Sequence, residues 1–325
     1  MILAGDIGGT NTRLAFFEED AGRLRLTLDR VYPSHEHQGL DEIVEAFVKE
    51  TGVTIGKACF GVAGPVLHGR VSTPNLPWVI DRDQLSQELG IPGVWLINDL
   101  EAHASGIGDL EPNDFVALNQ ATPAEGNAAL IAAGTGLGEA GLYWDGTRHH
   151  PFPCEGGHAD FAPRNDTEIA LLQYLLKRFG RVSYERVISG PGLKNIYDFL
   201  LDTGAEPEPG WLKEELRGSG DPSPVISHYG LEAKAVICER ALDLFVGIYG
   251  AEAGNLALKF KALSGVFISG GIAAKILPKI QSPLFLEAFA AKGRMRPVVE
   301  AIPLRVIMNG KIGLIGAARY AEDST

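Results

Sequence analysis

One pattern occurs twice in the chain, once in each half, and it limits the folds that the chain can adopt. In both halves a strand pattern leads into a glycine-rich loop, and a second strand, a tight turn and a third strand follow. The first copy runs from Ile2 to Leu28 and the second from Ala128 to Pro151. The residues themselves are not repeated, so the repeat is one of architecture. It predicts an α/β protein with two similar lobes, each presenting a glycine loop to a shared cleft.

The two glycine loops have the composition of phosphate-binding segments. The first reads Gly5-Asp6-Ile7-Gly8-Gly9-Thr10-Asn11, and the second reads Gly134-Thr135-Gly136-Leu137-Gly138. Glycines let backbone amides approach a ligand closely. The first loop leads into a strand, which excludes a Rossmann loop, and it lacks the Gly-Lys-Ser/Thr end of a Walker A loop. A plain hairpin is the alternative, but Asp6 and Thr10 beside the glycines favour a phosphate and magnesium site.

A polar pair, Asn98-Asp99, follows the apolar run 94–97. Such a run is typical of a buried strand, and open α/β sheets bind ligands at the carboxyl ends of their strands. Asp99 could simply cap a helix that begins near Glu101. Its position between the two glycine loops favours a second interpretation, in which Asp99 takes a proton from a hydroxyl group while a phosphoryl group arrives.

Further polar residues are candidates for binding hydroxyl groups. Asn75 lies in a proline-containing loop and offers both a donor and an acceptor, although it could equally cap a turn. Glu155 and His158 flank a glycine pair, and a structural histidine, a metal site or a catalytic site also fits them. Glu185 follows Ser183, so it could merely occupy the first turn of a short helix. Glu139, directly after the second loop, can face away from phosphates or repel them.

The remaining pattern sets the predicted domain limits. We predict a small α/β domain at 1–108 plus 303–325 and a large α/β domain at 109–302. The stretch 211–224 is polar and rich in glycine and proline, which predicts a surface loop. A long helix is predicted at 232–258, with breaks near its glycines. Gly270-Gly271 joins a strand to a helix, and a final helix of small residues at 312–321 is predicted to cross back onto the first lobe.

Charge and cysteine content exclude several classes of partner. The 325 residues carry a net charge of −12, which disfavours nucleic acid and anionic membranes as partners. The three cysteines are far apart and show neither a disulfide framework nor a zinc spacing, so we expect a reducing, cytoplasmic compartment. The first residues form a strand pattern, and we expect no signal peptide.

Taken in order, these segments resemble the sugar-kinase branch of the actin, heat-shock ATPase and hexokinase superfamily, and more narrowly the bacterial ATP-dependent glucokinase family. The resemblance covers essentially the whole chain. The two glycine loops resemble the family's phosphate loops, and Ile97-Asn98-Asp99 resembles the segment with the catalytic base. The segments 155–158 and 183–192 match its sugar-binding segments, and 265–271 resembles its adenosine-binding segment.

The resemblance implies a two-lobed actin-like ATPase (ribonuclease H-like) fold, with duplicated mixed β-sheet lobes and a ligand cleft between them. It implies transfer of the γ-phosphoryl group of ATP to the 6-hydroxyl of glucose, the first step of glycolysis, with Asp99 as base. The residues implied to bind the sugar are Asn75, Asn98, Asp99, Glu155, His158 and Glu185. Those implied to bind the nucleotide are Gly5, Asp6, Gly8, Gly9, Thr10, Asn11, Gly134, Thr135, Gly136, Gly270 and Gly271.

The resemblance also implies Mg²⁺, with Asp6 as its partner through water, and a homodimer. The cysteine cluster that binds zinc in the related repressor and kinase group is missing, so no structural zinc is expected. Four alternatives stay open at this point: a kinase of fructose or mannose, a kinase that uses polyphosphate, a non-catalytic sugar sensor, and an ATPase that acts on no sugar.

Overall fold

A computed structural model describes residues 1–73 and 76–324 of the chain. Contacts divide the chain into two compact units. The first comprises Met1–Asp114, His150–Pro153 and the residues from Asn309 onward, and the second comprises Phe115–His149 and Cys154–Met308. The domain limits predicted from the sequence stay a prediction, because these units are defined by contacts alone.

The described residues contain strands and helices in alternation along most of the chain. The strands are β1 (Ile2–Ile7), β2 (Asn11–Asp20), β3 (Arg23–Pro33), β4 (Lys57–Val62), β5 (Arg70–Ser72), β6 (Val79–Asp81), β7 (Val94–Asn98), β8 (Phe115–Ala117), β9 (Ala128–Ala133), β10 (Leu137–Trp144), β11 (His149–Cys154), β12 (Gly265–Ser269) and β13 (Leu304–Ile307). The helices are α1 (Leu40–Thr51), α2 (Arg82–Leu89), α3 (Asp99–Gly106), α4 (Asp166–Phe179), α5 (Gly190–Asp202), α6 (Gly210–Gly218), α7 (Pro222–Leu231), α8 (Val236–Phe260), α9 (Gly271–Lys275), α10 (Leu277–Ile280), α11 (Pro283–Ala290), α12 (Arg296–Glu300) and α13 (Ile312–Asp323).

The first unit is built on a five-stranded mixed sheet of order β3-β2-β1-β4-β7. β1 pairs antiparallel with β2 and parallel with β4, and β4 pairs parallel with β7. Alternation along β1 sends Leu3 and Ile7 to one face and Ile2 and Ala4 to the other, because successive side chains of a strand point to opposite faces. The sheet therefore has two buried faces.

Different helices cover the two faces of this sheet. On one face the ring of Phe47 from α1 stacks on Phe16 of β2, with 4.7 Å between ring centroids. On the other face α13 packs against α3 and β1, as predicted for a final helix that returns to the first lobe. The small residues of α13 make this close approach possible, since a side chain at Gly316 would overlap the carbonyl oxygen of Ala102.

The second unit repeats this architecture with a mixed sheet in which its strands follow the order β10-β9-β12-β13-β8. β9 pairs antiparallel with β10 and parallel with β12, as β1 does with β2 and β4. All six residues of β9 are buried. The core of this unit gathers side chains from the sheet and from α5, α7, α8 and α11. The predicted duplication of a strand, a glycine loop and a second strand is thus confirmed.

Two predictions about the second unit are wrong. The stretch 211–224 is not a loop, because α6 covers most of it and α7 begins at Pro222. Asp221 caps α7 and proline fits the first helical turn, so residues interpreted as helix breakers begin a helix instead. α8 is continuous through its glycines. Gly250 and Gly254 allow α11 to pack closely, because side chains there would overlap the carbonyl oxygens of Phe285 and Phe289.

Within the described part of the chain, every helix is too short or too polar to cross a lipid bilayer. The cysteines Cys59, Cys154 and Cys238 are all free thiols, and Cys59 and Cys238 are buried.

Candidate active site

The first glycine loop joins β1 to β2 and is held from behind by Ser34. The amide of Gly8 donates to the carbonyl oxygen of Asn11 (3.0 Å), which closes the turn. Ser34 donates its hydroxyl to the carbonyl oxygen of Gly8 (2.8 Å) and its amide to that of Thr10 (2.9 Å). Gly5 lies within β1, where the Phe60 ring fills the space of a side chain. The loop is a braced turn rather than a free hairpin end.

Asp6 lies at the end of β1 beside two helices of the same unit. A side chain at Gly313 of α13 would come within 3.0 Å of the Asp6 carboxyl carbon and 3.3 Å of the His103 ring. Burial lowers the pKa of the His103 imidazole, and the nearby Asp6 carboxylate opposes part of that effect. His103 was not among the site residues predicted from the sequence. Its signal was the spacing of four residues from Asp99, which places both on one face of α3.

Asn98, and not Asp99, caps α3. The side-chain oxygen of Asn98 accepts from the amide of Leu100 (2.9 Å), and its amide nitrogen donates to the carbonyl oxygen of Gly64 (3.2 Å). Glu101 accepts from the backbone amide of Asn98, which completes a capping box. Burial nevertheless raises the pKa of Glu101. Asp99 is the first helical residue, half-buried, with Oδ1 3.0 Å from the Leu100 amide.

The second glycine loop joins β9 to β10 and contacts a carboxylate. Glu185 Oε2 accepts from the amide of Leu137 (3.1 Å), and a side chain at Gly136 would come within 2.6 Å of the same oxygen. The carbonyl oxygen of Gly134 accepts from the amide of Gly190 at the start of α5 (2.9 Å). Thr135, at the tip, is exposed. One predicted sugar-binding residue therefore holds a predicted phosphate loop.

Glu155 and His158 lie on an exposed turn beside Glu185. Residues Gly156–His158 form a 3-10 turn, and the His158 ring lies 4.0 Å from the Glu155 carboxylate. The amide of Tyr184 donates to the carbonyl oxygen of Ala159 (3.0 Å), which joins this segment to the 3-10 turn Tyr184–Arg186. The structure thus brings Glu155, His158, Glu185 and the second glycine loop together within one unit.

Gly270 and Gly271 connect β12 to α9 next to the end of β9. Gly270 has φ +89°, which favours glycine, and a side chain there would overlap the carbonyl oxygen of Ala133. Gly271 begins α9, with open space where a side chain would start. Gly270 therefore lies beside Ala133, the residue that precedes Gly134. Asn75 lies outside the described residues, so its predicted role stays a prediction.

Comparison with known proteins identifies the family. The family model described as Glucokinase matches residues 3–324. The glucokinase of Nostoc punctiforme is 44% identical over 336 residues, covering 99% of this chain and 98% of that protein. The crystal structure of a glucokinase from an Antarctic psychrotroph has a TM-score of 0.87 at 30% identity, covering 99% of both chains. The chain belongs to the glucokinase family.

A more distant structure supports the fold alone. A ROK family glucokinase from Streptomyces griseus, solved in complex with glucose and AMPPNP, has a TM-score of 0.66 at 21% identity and covers 99% of both chains. The predictions of a glucokinase-family enzyme, a sugar kinase, and of an actin-like ATPase fold with two sheet lobes are confirmed. The comparisons do not test the individual site residues, whose roles stay predictions.

Proposed function

We propose that this member of the glucokinase family transfers the γ-phosphoryl group of ATP to the 6-hydroxyl of glucose, as the first step of glycolysis. The observation that carries the proposal is the position of Asp99. Asn98 supplies the side-chain cap of α3, so the alternative interpretation of Asp99 as the cap loses its support. A carboxylate at the first position of a helix that follows a strand of the central sheet suits a base for a substrate hydroxyl.

Asp99 accepts the proton of the 6-hydroxyl as that oxygen attacks the γ-phosphorus. A new bond forms between the sugar oxygen and phosphorus, and the bond from phosphorus to the bridging oxygen of ADP breaks. Such transfers need positioning and charge neutralisation more than covalent help from the protein. Asn98, Glu155, His158 and Glu185 hold the sugar hydroxyls, with Asn75 as a further candidate. Carboxylates suit this task because each accepts from more than one hydroxyl.

The glycine loops hold the nucleotide. The amides of Gly8 and Gly134 donate within their own loops, so the remaining backbone amides of the two loops bind phosphate oxygens, and Gly270-Gly271 binds the adenosine. Mg²⁺ commonly binds to proteins through one or two carboxylates together with waters and substrate phosphates. Asp6 is a half-buried carboxylate at the end of β1, and it fits that role through water. The ion would neutralise phosphate charge.

The proposal also covers the compartment and the assembly of the enzyme. Free cysteines suit a reducing compartment, so we place the enzyme in the cytoplasm. The family resemblance supports a homodimer, which the molar mass from light scattering tests directly. We assign no nucleic acid or membrane as partner, in keeping with the net charge of −12.

The test is ADP release from the purified protein with Mg-ATP, with and without glucose. We expect ADP only when glucose is present, and a ³¹P spectrum of the product that identifies glucose 6-phosphate. Fructose and mannose are assayed in parallel and in competition with glucose, and polyphosphate replaces ATP in a separate assay.

Each alternative gives a different result. Equal ADP release without sugar supports an ATPase, and glucose binding without turnover of any hexose supports a sensor. A higher kcat/KM for fructose or mannose than for glucose assigns the enzyme to that sugar. Any of these results contradicts the proposed function.

A further inference from the structure

The first residues of β10 form the floor under the turn that carries Glu155 and His158. A side chain at Gly156 would overlap Oε2 of Glu139, and one at Gly157 would overlap the carbonyl oxygen of Leu137. The paired glycines are therefore required by this close packing.

Cys154, the residue before Glu155, also contacts Glu139. The thiol of Cys154 donates to the Glu139 carbonyl oxygen (3.4 Å). Glu155 is consequently flanked on both sides by residues in contact with Glu139, through its backbone on one side and its carboxyl group on the other. A shift of the Glu139 side chain must move this turn.

Glu139 itself does not face solvent. Its side chain is 1% exposed, and among the described residues Oε1 has no hydrogen-bond partner. Its charged neighbour Glu252, on α8, is fully buried and already accepts from Lys259 Nζ (2.9 Å) and Asn255 Nδ2 (2.8 Å). Glu139 is thus a buried carboxyl group without a direct cation partner in the described part of the chain, and burial of this kind favours the uncharged form of the carboxyl group.

We propose that Glu139 is a positioning residue for glucose, whose buried carboxyl group supports the 155–158 turn and thereby sets the positions of Glu155 and His158. The inference rests on the proposed function, since it assumes that this turn binds the sugar. Glu139 touches no substrate in this role. It acts through Gly156, in the way that a packed second layer fixes the residues that contact a ligand.

The same arrangement makes glucose affinity depend on pH. Burial, and then the negative charge of Glu252, raises the pKa of Glu139 to about 8, while Lys259 opposes part of the shift. The groups that face Glu139 are Tyr249, Glu252 and Lys259 on α8 and Cys154 on β11. Burial raises the pKa of Tyr249 and of the Cys154 thiol, so Glu139 is expected to ionise before either of them.

Ionisation of Glu139 places a negative charge against Gly156 and opposite Glu252. The charged group must draw in water or move away, and either response displaces the turn. Burial also lowers the pKa of Lys292 to about 8. Lys292 bonds to Asn255 Oδ1 (2.6 Å) and the carbonyl oxygen of Ala251 (2.7 Å), so substitutions at Glu139 leave it in place and separate the two groups.

A double-mutant cycle between Glu139 and Gly156 tests the proposal. We expect G156A to raise the KM for glucose about tenfold while the KM for ATP changes by less than about twofold, because only the sugar turn is displaced. In E139A the overlapping carboxyl group is gone, so adding G156A to E139A has a much smaller effect. Glucose affinity measured by calorimetry without ATP should follow the same pattern.

The conservative variant E139Q provides a second test that does not depend on a cavity. Its carboxamide keeps the shape of the neutral acid but cannot ionise. We expect a glucose KM near that of the wild type at pH 7, and we expect it to stay flat to pH 9. The wild-type glucose KM should rise several-fold over the same range, since a carboxyl group with a pKa of about 8 passes from mostly protonated at pH 7 to mostly ionised at pH 9.

The matched control is E168A. Glu168 is equally buried but pairs with Arg164 and Asn165 at the start of α4, so its loss should lower the melting temperature without changing the glucose KM.

Three results would each overturn the inference. They are equal effects of G156A in the wild-type and E139A backgrounds, an unchanged glucose KM in G156A, and parallel pH profiles of the wild type and E139Q. If the wild type fails to phosphorylate glucose at any pH, the proposed function fails instead.

Discussion

The two glycine loops occupy equivalent places in the two units but are held by different chemistry. The loop after β1 is braced by the Ser34 hydroxyl and by backbone amides, all of them neutral groups. The loop after β9 is braced by the Glu185 carboxylate, which accepts from the Leu137 amide. Repeated topology therefore does not repeat the supporting contacts.

The two units therefore divide loop support and substrate chemistry in different ways. In the first unit the brace is separate from the residues proposed for chemistry and metal binding, Asp99 and Asp6. In the second unit a proposed sugar-binding residue is itself the brace of a phosphate loop. We therefore expect substitutions in the first unit to change either turnover or stability. Substitutions at Glu185 or Gly136 in the second should change glucose affinity together with the geometry of the loop.

The largest effect should come from D99N in the first unit. Loss of the base while its shape is kept should lower kcat about 10³-fold, within the range for general-base catalysis, and weaken glucose binding far less, because Asp99 is only one of the residues implied to bind the sugar. Steady-state kinetics and calorimetry with glucose measure the two quantities. The control is D109N, which breaks the pair with Arg319 in the same unit and should lower the melting temperature but not kcat. A loss of glucose affinity equal to the loss of kcat would contradict the assigned division.

The second largest effect concerns the buried acid of the second unit. The pKa of Glu139 is raised from 4.5 to about 8, so between these values the folded chain holds a proton that the unfolded chain has lost. Stability is therefore lost as the pH rises through this window. E139Q cannot ionise at this position, so it should keep its stability as the pH rises. At pH 8 its free energy of unfolding should exceed that of the wild type by about 3 kcal/mol, and near pH 5 the two should differ little.

Urea unfolding at several pH values between 5 and 8 measures this difference. Because both chains share every other titrating group, the difference between them isolates Glu139. If the free energies of unfolding of the wild type and E139Q differ by the same amount at every pH between 5 and 8, Glu139 is ionised in the folded protein.

A third prediction compares the loops directly. A side chain at Gly136 meets Glu185 Oε2 at 2.6 Å, whereas one at Gly8 meets the Asn11 carbonyl oxygen at 3.1 Å. G136A should displace the Glu185 carboxylate and raise the KM for glucose and for ATP, each about tenfold. G8A should raise the KM for ATP alone. Kinetics with each substrate varied in turn make the test, and the comparison fails if both variants give the same pattern.

The smallest effect should come from S34A. The variant loses the hydroxyl bonds to the Gly8 carbonyl oxygen and to Thr12 Oγ1 (3.0 Å), both inside the first unit. The free energy of unfolding should fall by about 1 kcal/mol, the usual net value of such bonds. S105A is the matched control, since its hydroxyl bonds only to a helix carbonyl oxygen and should cost less. If both variants lose the same free energy of unfolding, Ser34 stabilises the first glycine loop no more than Ser105 stabilises its helix.

Much of the fold could be predicted because its signals are local. The alternation of Leu24, Leu26 and Leu28 with polar residues predicted β3, in which these leucines are half-buried and their neighbours mostly exposed. The prediction failed at 211–224, where composition indicated a loop. Proline and glycine also begin helices, and the choice depended on burial of Leu212, which a composition argument cannot detect.

Periodicity and short motifs were enough to predict the two-lobed α/β pattern, the two glycine loops and the family, because these signals lie within single segments. The groups that hold those segments are visible in the folded chain alone. The tertiary structure assigned the cap to Asn98 rather than Asp99, placed His103 near Asp6, and set Glu139 beneath Gly156. The second and third of these join segments that are distant in the chain, and the distance between two such segments is fixed by the packing of the whole unit.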